Sequence, residues 1–285
     1  MSRPRKQIVL RDDDLNFFTD PVQLEKAYGF LFERQIPVKF STIPAADAQA
    51  TTESEDFGVG SYEQFLLQSE AGKKELSPIT ENKQLLDIVS DSERVEFLLH
   101  GYCHNGVDGR YEFETEDAVE IADELDQGCA ILEQAFGRLL TTFVAPQGKY
   151  SGPAFEQIRR RFEIFSLGWI DRRRISMKLL PAYVAMKARK TNRIRSGGMQ
   201  ILEHPSCLFS KFRSVSDCAN VLHSHIAAND LIVIVVHYWK FFQADGSLNT
   251  ELHDAFCDRV LALEQRAEYD SGCFPSFDSS HRQSN

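Results

Sequence analysis

A distorted parallel (β/α) barrel, an α/β fold in a single domain, is what the sequence predicts, on three observations. Short β-branched runs alternate with amphipathic stretches along most of the chain, the pattern of a parallel sheet with helical crossovers. Four polar clusters, Asp12–Asp14, His100/His104, Pro146–Tyr150 and His237, each follow directly on an apolar run. In a parallel barrel the carboxyl ends of the strands form one face, and sites are built there. At 285 residues the chain can also bury a large core, and it has no internal repeat.

The elements follow in order. Gln7–Leu10 is a first strand. Pro21 to Gln35 reads as a helix, with Asp20 as its cap and Pro21 at its first position. Val38–Thr42 is a second strand. Residues 45–80, rich in Ala, Ser, Thr, Glu and Gly, read as a surface insertion with one helix near Tyr62–Ser69, either a lid or an inert excursion. A short helix over Glu81–Ser90 leads into strand Val95–Leu99. From Thr115 to Phe136, Ala118, Ile121, Ala122, Leu125, Cys129, Leu132 and Phe136 keep helical spacing. Strand Thr141–Ala145, helix Pro153–Arg161 and strand Glu163–Leu167 come next. Residues 171–195 fit no pattern. Met199–Glu203 reads as a strand, Val215–Ala228 as a helix, Leu231–Val236 as a fully buried strand and Asn249–Ala267 as a last helix. The barrel is expected to span 1–270, with 271–285 a loosely ordered tail.

Composition narrows the partners. A formal charge of −10 argues against nucleic acid, whose phosphates need a basic surface. That charge is unevenly spread: Arg159 to Arg195 hold twelve Lys and Arg against Glu163 and Asp171. The stretch is either a solvated basic face or an attractor for an anionic substrate. Six cysteines without a CxxC pair read as thiols of a reducing compartment. No apolar h-region backs the basic residues near Met1, and the longest apolar stretch, Leu231–Val236, is far short of a membrane span. A cytoplasmic protein without a transmembrane segment is the expectation.

The chemistry concentrates at two strand ends. Adjacent carboxylates repel, so Asp12-Asp13-Asp14 at the end of an apolar run suggests an expected cation. His100-Gly101-Tyr102-Cys103-His104 ends another run 86 residues after Asp14. Two imidazoles and a carboxylate are the ligand set of a catalytic divalent metal that keeps a position open for water. Each segment alone is a weak signal, but both together, each at a strand end, propose a metal-dependent hydrolase.

These segments resemble the motifs of the polysaccharide deacetylases, carbohydrate esterases that remove N-acetyl groups from chitin-like sugars. Arg11-Asp12-Asp13-Asp14-Leu15 is similar to the family's Thr-Phe-Asp-Asp-Gly, and His100-Gly101-Tyr102-Cys103-His104 to its His-x-x-x-His. Val144-Ala145-Pro146-Gln147-Gly148 resembles Arg-Pro-Pro-Tyr-Gly, and Ile234-Val235-Val236-His237 resembles Leu-x-x-His. Order and spacing fit over most of the chain, closest to a divergent intracellular branch. The resemblance implies that Asp14, His100 and His104 hold the metal, Asp13 is the general base and His237 the acid for the leaving amine. A register one residue earlier would make Asp13 the ligand and Asp12 the base. It also implies a backbone N–H at Gln147 as oxyanion donor. Arg11, Pro146, Lys149, Tyr150 and Trp239 stand as further substrate-site residues. Zinc suits the mixed N/O set best, with nickel, cobalt, iron and manganese also compatible. The implied partner is an N-acetylated sugar or an anionic sugar precursor, in a setting such as surface-polysaccharide or lipopolysaccharide (O-antigen) assembly.

The chain departs from the family at Val144, where the Arg that orients the base would stand; Arg11 could substitute from another position. Asp171 could orient His237, and Glu203-His204 could reach the same face. Two other functions remain open: hydrolysis of a non-sugar amide or ester on the same scaffold, and a catalytically silent glycan-binding protein that keeps the fold. Oligomeric state is not legible.

Overall fold

Eight strands hydrogen-bond side by side into a curled, mostly parallel sheet. They are β1 (Lys6–Leu15), β2 (Val38–Thr42), β3 (Val95–His100), β4 (Thr142–Val144), β5 (Ile164–Leu167), β6 (Arg193–Ser196), β7 (Met199–Glu203) and β8 (Leu231–Val236). Their order across the sheet is β6-β7-β5-β4-β3-β2-β1-β8, and a short β9 (Tyr269–Ser271) also pairs with β1. Only the β6–β7 pairing is antiparallel. The structure is a computed structural model describing residues 6–52, 58–66, 70–73, 76–90, 94–107, 110–170, 177–266 and 269–272.

Strand alternation sorts the side chains into two apolar layers. Ile8, Leu10, Ile232 and Ile234 point outward into the main core, against Leu24, Tyr28 and Leu31 of α1 (Pro21–Glu33). Val9, Leu98, Val144, Ile164, Leu202, Val233 and Val235 form a separate buried cluster, the barrel interior. A strand buried on both faces reads as one apolar run, which is why β8 is Leu-Ile-Val-Ile-Val-Val.

Helix ends obey local chemistry. Asp20, Asp117, Ser151, Ser214 and Asn249 accept backbone N–H groups at the starts of α1, α3 (Ala118–Phe136), α4 (Gly152–Arg161), α6 (Val215–Ala228) and α7 (Thr250–Glu264). Two further helices, α2 (Lys83–Ser90) and α5 (Leu180–Arg189), complete the set among the described residues. None of these helices is long and apolar enough to cross a membrane.

The ladder does not close between β6 and β8. Asn192 bridges the edges, donating through Nδ2 to Glu203 O (3.1 Å) and Leu231 O (2.9 Å), and Leu208 N donates to Val235 O (2.8 Å). A seam held by a side-chain amide is what makes the barrel distorted.

Four expectations need correction. The first strand runs five residues beyond Leu10, because Arg11–Asp13 continue the ladder with Lys39–Ser41. No helix covers 62–66; Phe65 and Leu66 are drawn into a cluster with Phe18, Ile43, Ala46, Ala48 and Ala50, and Ala45–Asp47 pairs with Leu76–Pro78. Residues 67–69 lie outside the described residues. The unassigned stretch holds α5 and β6, where Ile194 and Ser196 are buried and Arg193 and Arg195 exposed. Finally, α7 stops at Glu264 and β9 follows where the end of a helix and the start of a tail were expected; residues 273–285 lie outside the described residues.

Candidate metal centre and its cleft

Strict alternation along β1 would send Asp13 to one face and Asp12 and Asp14 to the other. A β-bulge prevents this. Asp13 pairs with Ser41 and Leu15 with Thr42, so Asp14 is an extra residue with φ +75°. Asp12 points outward, where its carboxylate accepts Tyr238 N (2.6 Å) and the Tyr28 hydroxyl. Burial pushes the Asp12 carboxyl well above its ordinary value. Asp13 and Asp14 both face the cleft and Asp12 does not, the placement that the register with Asp13 as base expects.

Asp14 Oδ1 lies 3.2 Å from His100 Nε2 and 3.7 Å from His104 Nε2. Their ligand atoms all fall within 4.8 Å of one another, and all three residues are buried. His100 Nδ1 sits 3.1 Å from Val144 O and donates there, which leaves Nε2 aimed at the Asp14 carboxylate. Without an ion, the acidic neighbours raise the imidazole above its ordinary value despite burial, and Nε2 donates to Asp14; with an ion, a neutral Nε2 and the carboxylate can both turn to it. The donor set therefore fits a divalent metal. Burial lowers the His104 imidazole to about 4, leaving it neutral as a ligand must be. Trp239 Nε1 donates to Asp14 Oδ2 at 3.3 Å. Trp239→Phe is expected to weaken metal retention about 10–100-fold, measured by competition with a chromophoric chelator.

The histidine loop is shaped by a residue that sequence reasoning missed. Glu112 accepts Tyr102 N (3.0 Å), Cys103 N (2.7 Å) and His104 N (3.2 Å), as well as the Cys103 thiol (3.2 Å). To wrap this carboxylate the loop takes φ +64° at Gly101 and +60° at His104. Among the described residues five non-glycine positions have positive φ, and three of them, Asp14, His104 and Gln147, line the cleft. Strain of this kind is costly and collects at functional sites.

Beside the Asp14–His100–His104 cluster, Arg11 pairs with Asp13: Nη2 donates to Oδ2 at 2.7 Å, and Nε lies 2.7 Å from Oδ1 in an ion pair. Its Nη1 donates to Ser166 Oγ (2.7 Å) and meets His204 Nε2 at 3.1 Å. His204 Nδ1 lies 2.8 Å from Pro205 O, so it is the donor there and Nε2 accepts from Arg11. Burial first, then Arg11, lowers His204 to about 3, consistent with a neutral acceptor. Burial would raise Asp13, but Arg11, His100 and His237 outweigh it and hold the carboxyl below its ordinary value. From β1, Arg11 supplies Asp13 with a guanidinium, the substitution expected of it where Val144 stands in place of an Arg in the resemblance.

His237 Nε2 stands 3.5 Å from Asp14 Oδ2. Burial, with Lys240 second, lowers its imidazole to about 4. Gln147 lines the cleft with φ +51° and donates through Nε2 to Glu63 Oε1 (2.7 Å). Glu63, another residue missed, comes from the 45–80 excursion and stands 3.7 Å from His104 Nδ1. Burial, then Asp14, pushes its carboxyl up to about 8. The cleft they share has a volume of about 520 Å3.

Other candidates fall elsewhere. Pro146, Lys149 and Tyr150 do not line the cleft. Pro146 is buried against Gly101, and Tyr150 is 1% exposed with its ring 5.0 Å from that of Phe165. Lys149 Nζ lies over the Tyr111 ring at 5.2 Å. Their spacing after β4 placed them on the right loop, but its turn carries their side chains past the opening. Glu203 is spent on Ile170 N (2.7 Å) and Lys187, whereas its neighbour His204 reaches the cleft. Asp171 lies outside the described residues. None of the described Lys or Arg between 159 and 195 lines the cleft; Arg11, Arg213 and Lys240 do.

No family model and no curated protein matches the sequence. Solved structures do. A Mycobacterium smegmatis protein classed as a polysaccharide deacetylase superposes with a TM-score of 0.55 at 11% identity, covering 94% of this chain and 88% of that one. A CE4-family pseudoenzyme from Bacillus anthracis gives 0.51 at 11% identity, covering 94% and 63%. A mutant of the same pseudoenzyme with restored enzymatic activity gives 0.50 at 12%, covering 94% and 65%. The chain thus spans under two thirds of the pseudoenzyme's length. At these identities the likeness establishes the fold, that of the CE4 polysaccharide deacetylases.

Proposed function

We propose that the protein is a metal-dependent hydrolase that removes an N-acetyl group from a sugar or an activated sugar precursor. The observation that carries this reading is the buried Asp14–His100–His104 cluster beside an Arg-clamped Asp13, both opening on one cleft. Asp14, His100 and His104 would hold the ion, zinc being best suited to the donor set. When bound, a divalent ion acidifies a coordinated water and polarises the acyl carbonyl.

The remaining work falls to the chain's own groups. Asp13, kept ionised by Arg11, takes the proton from the attacking water. The oxyanion donor we assign is the backbone N–H of Gln147, a residue that lines the cleft. We assign His237 to protonate the departing amine; with its imidazole lowered to about 4 it rests neutral and must take up that proton during turnover. The silent glycan-binding alternative drew on the missing Arg at Val144. Arg11 on Asp13 favours the active reading instead. For the setting we propose surface-polysaccharide (O-antigen) assembly in the cytoplasm, for which the five described cysteines, all free, are fitting.

The test pairs two variants of the metal-loaded protein. Asp13→Asn is expected to lower acetate release from N-acetylated sugars by about 10²–10⁴-fold with the metal retained, and His100→Ala to lose the metal by elemental analysis. Unchanged turnover in Asp13→Asn, or acetate released only from non-sugar amides or esters, would sink the proposal.

A further inference from the structure

We infer that the outer wall of the cleft is a seat for an anionic group, so that the substrate is an acylated sugar bearing a phosphate or a carboxylate. This rests on the deacetylase reading and deepens it. The charges around the cleft are sorted by depth. Its three acidic residues, Asp13, Asp14 and Glu63, are all buried and engaged, by Arg11, by the imidazoles and Trp239, and by Gln147 respectively. Its cations other than Arg11 stand on one wall, made by the loop after β7 and the turn after β8.

There Arg213 is exposed, with Nη1 donating to Cys207 O at 3.1 Å. Lys240 Nζ lies 5.0 Å over the Trp239 ring, one turn from His237. Lys211, behind them, reaches Phe242 O at 3.4 Å, and burial first, then the charge of Lys240, keeps its ammonium below the ordinary value. Bringing like charges together costs free energy that a bound anion relieves. The chain as a whole carries −10, which repels anions, so an anionic substrate needs a local patch of opposite sign. A neutral polysaccharide would need none. On the same cleft Trp169 and Phe212 remain 60% and 44% exposed, apolar faces for a sugar or base ring alongside the charge.

The test is calorimetric titration of the metal-loaded protein with N-acetylglucosamine, N-acetylglucosamine 1-phosphate, UDP-N-acetylglucosamine and N-acetylmuramic acid, followed by acetate release from each. At least one anionic probe is expected to bind ten times more tightly than the neutral sugar, and to weaken as NaCl rises. Which probe gains separates phosphate from carboxylate. Arg213→Gln/Lys240→Gln is expected to erase that preference, and Arg213→Lys/Lys240→Arg to keep it, with thermal unfolding confirming that both fold. Equal affinity for neutral and anionic probes overturns the seat, as does a preference that survives in the Gln variant, which would place the anion on the metal. Acetate released equally well from the neutral sugar overturns the seat and leaves the deacetylase reading standing. Anion-selective binding that depends on the two cations, with no acetate from any probe, overturns the deacetylase reading and leaves the seat standing.

Discussion

Arg11→Met is expected to remove about 3–5 kcal/mol of folding stability and to abolish turnover with it. Arg11 is 2% exposed, and its guanidinium neutralises a carboxylate that is itself buried. Deleting one partner of such a pair leaves the other charge without compensation, which costs far more than the pair contributes. Asp13 would then hold a proton at neutral pH and could not accept one from water. Ser166 and His204 would lose their common donor. Urea unfolding measures the first effect. The double variant Arg11→Met/Asp13→Asn separates the causes: it should regain most of the lost stability, because no charge is stranded, and none of the activity. A single variant less than about 1 kcal/mol weaker than the native protein would mean that the pair is effectively solvated, and the clamp would carry no weight.

The clustering of Asp14, His100 and His104 was legible because they sit where alternating apolar runs stop, and strand ends in this fold share a face. Arg11 as the partner of Asp13 was readable only as a substitute for a missing residue, since i and i+2 on a strand share a face. The choice between Asp12 and Asp13 was not readable. It turns on a single bulged residue, and bulges leave no composition signature. Glu63 and Glu112 were hidden for a related reason. They lie on irregular backbone, and their roles come from loop shape: a carboxylate wrapped by three N–H groups, and a side chain folded in from a long excursion. The same irregularity misplaced Tyr150, whose loop companions Gln147 and Gly148 do reach the cleft.

Gly101→Ala should be the most damaging single-atom change in the histidine loop. A Cβ there would meet Glu112 Oε1 at 1.8 Å and Pro146 Cγ at 2.5 Å, and φ is +64°. The left-handed conformation alone costs about 1–2 kcal/mol for an L-residue. Displacing Glu112 costs more, because three backbone donors that it satisfies lose their acceptor, at about 1–3 kcal/mol for each that stays buried. The strained backbone of His104 then loses its restraint, and its imidazole leaves the ion. Metal content by elemental analysis should drop well below stoichiometric, and thermal unfolding should move down by many degrees. Full metal occupancy with native stability in Gly101→Ala would show that the Glu112 contacts are dispensable.

The open seam divides the protein into two regimes of constraint. Of the three proposed ligands, Asp14 and His100 sit on β1 and β3 inside the unbroken ladder, where a shift of one side chain disturbs several strands, and Glu112 holds the loop of His104. The stretch 204–213 crosses the flank where the Asn192 amide and the Leu208 peptide tie the edges. Apart from His204, which meets Arg11, residues on that flank can be exchanged without unpicking a strand pairing, so selection can retune what the cleft accepts while the Asp13–Asp14 end stays as it is.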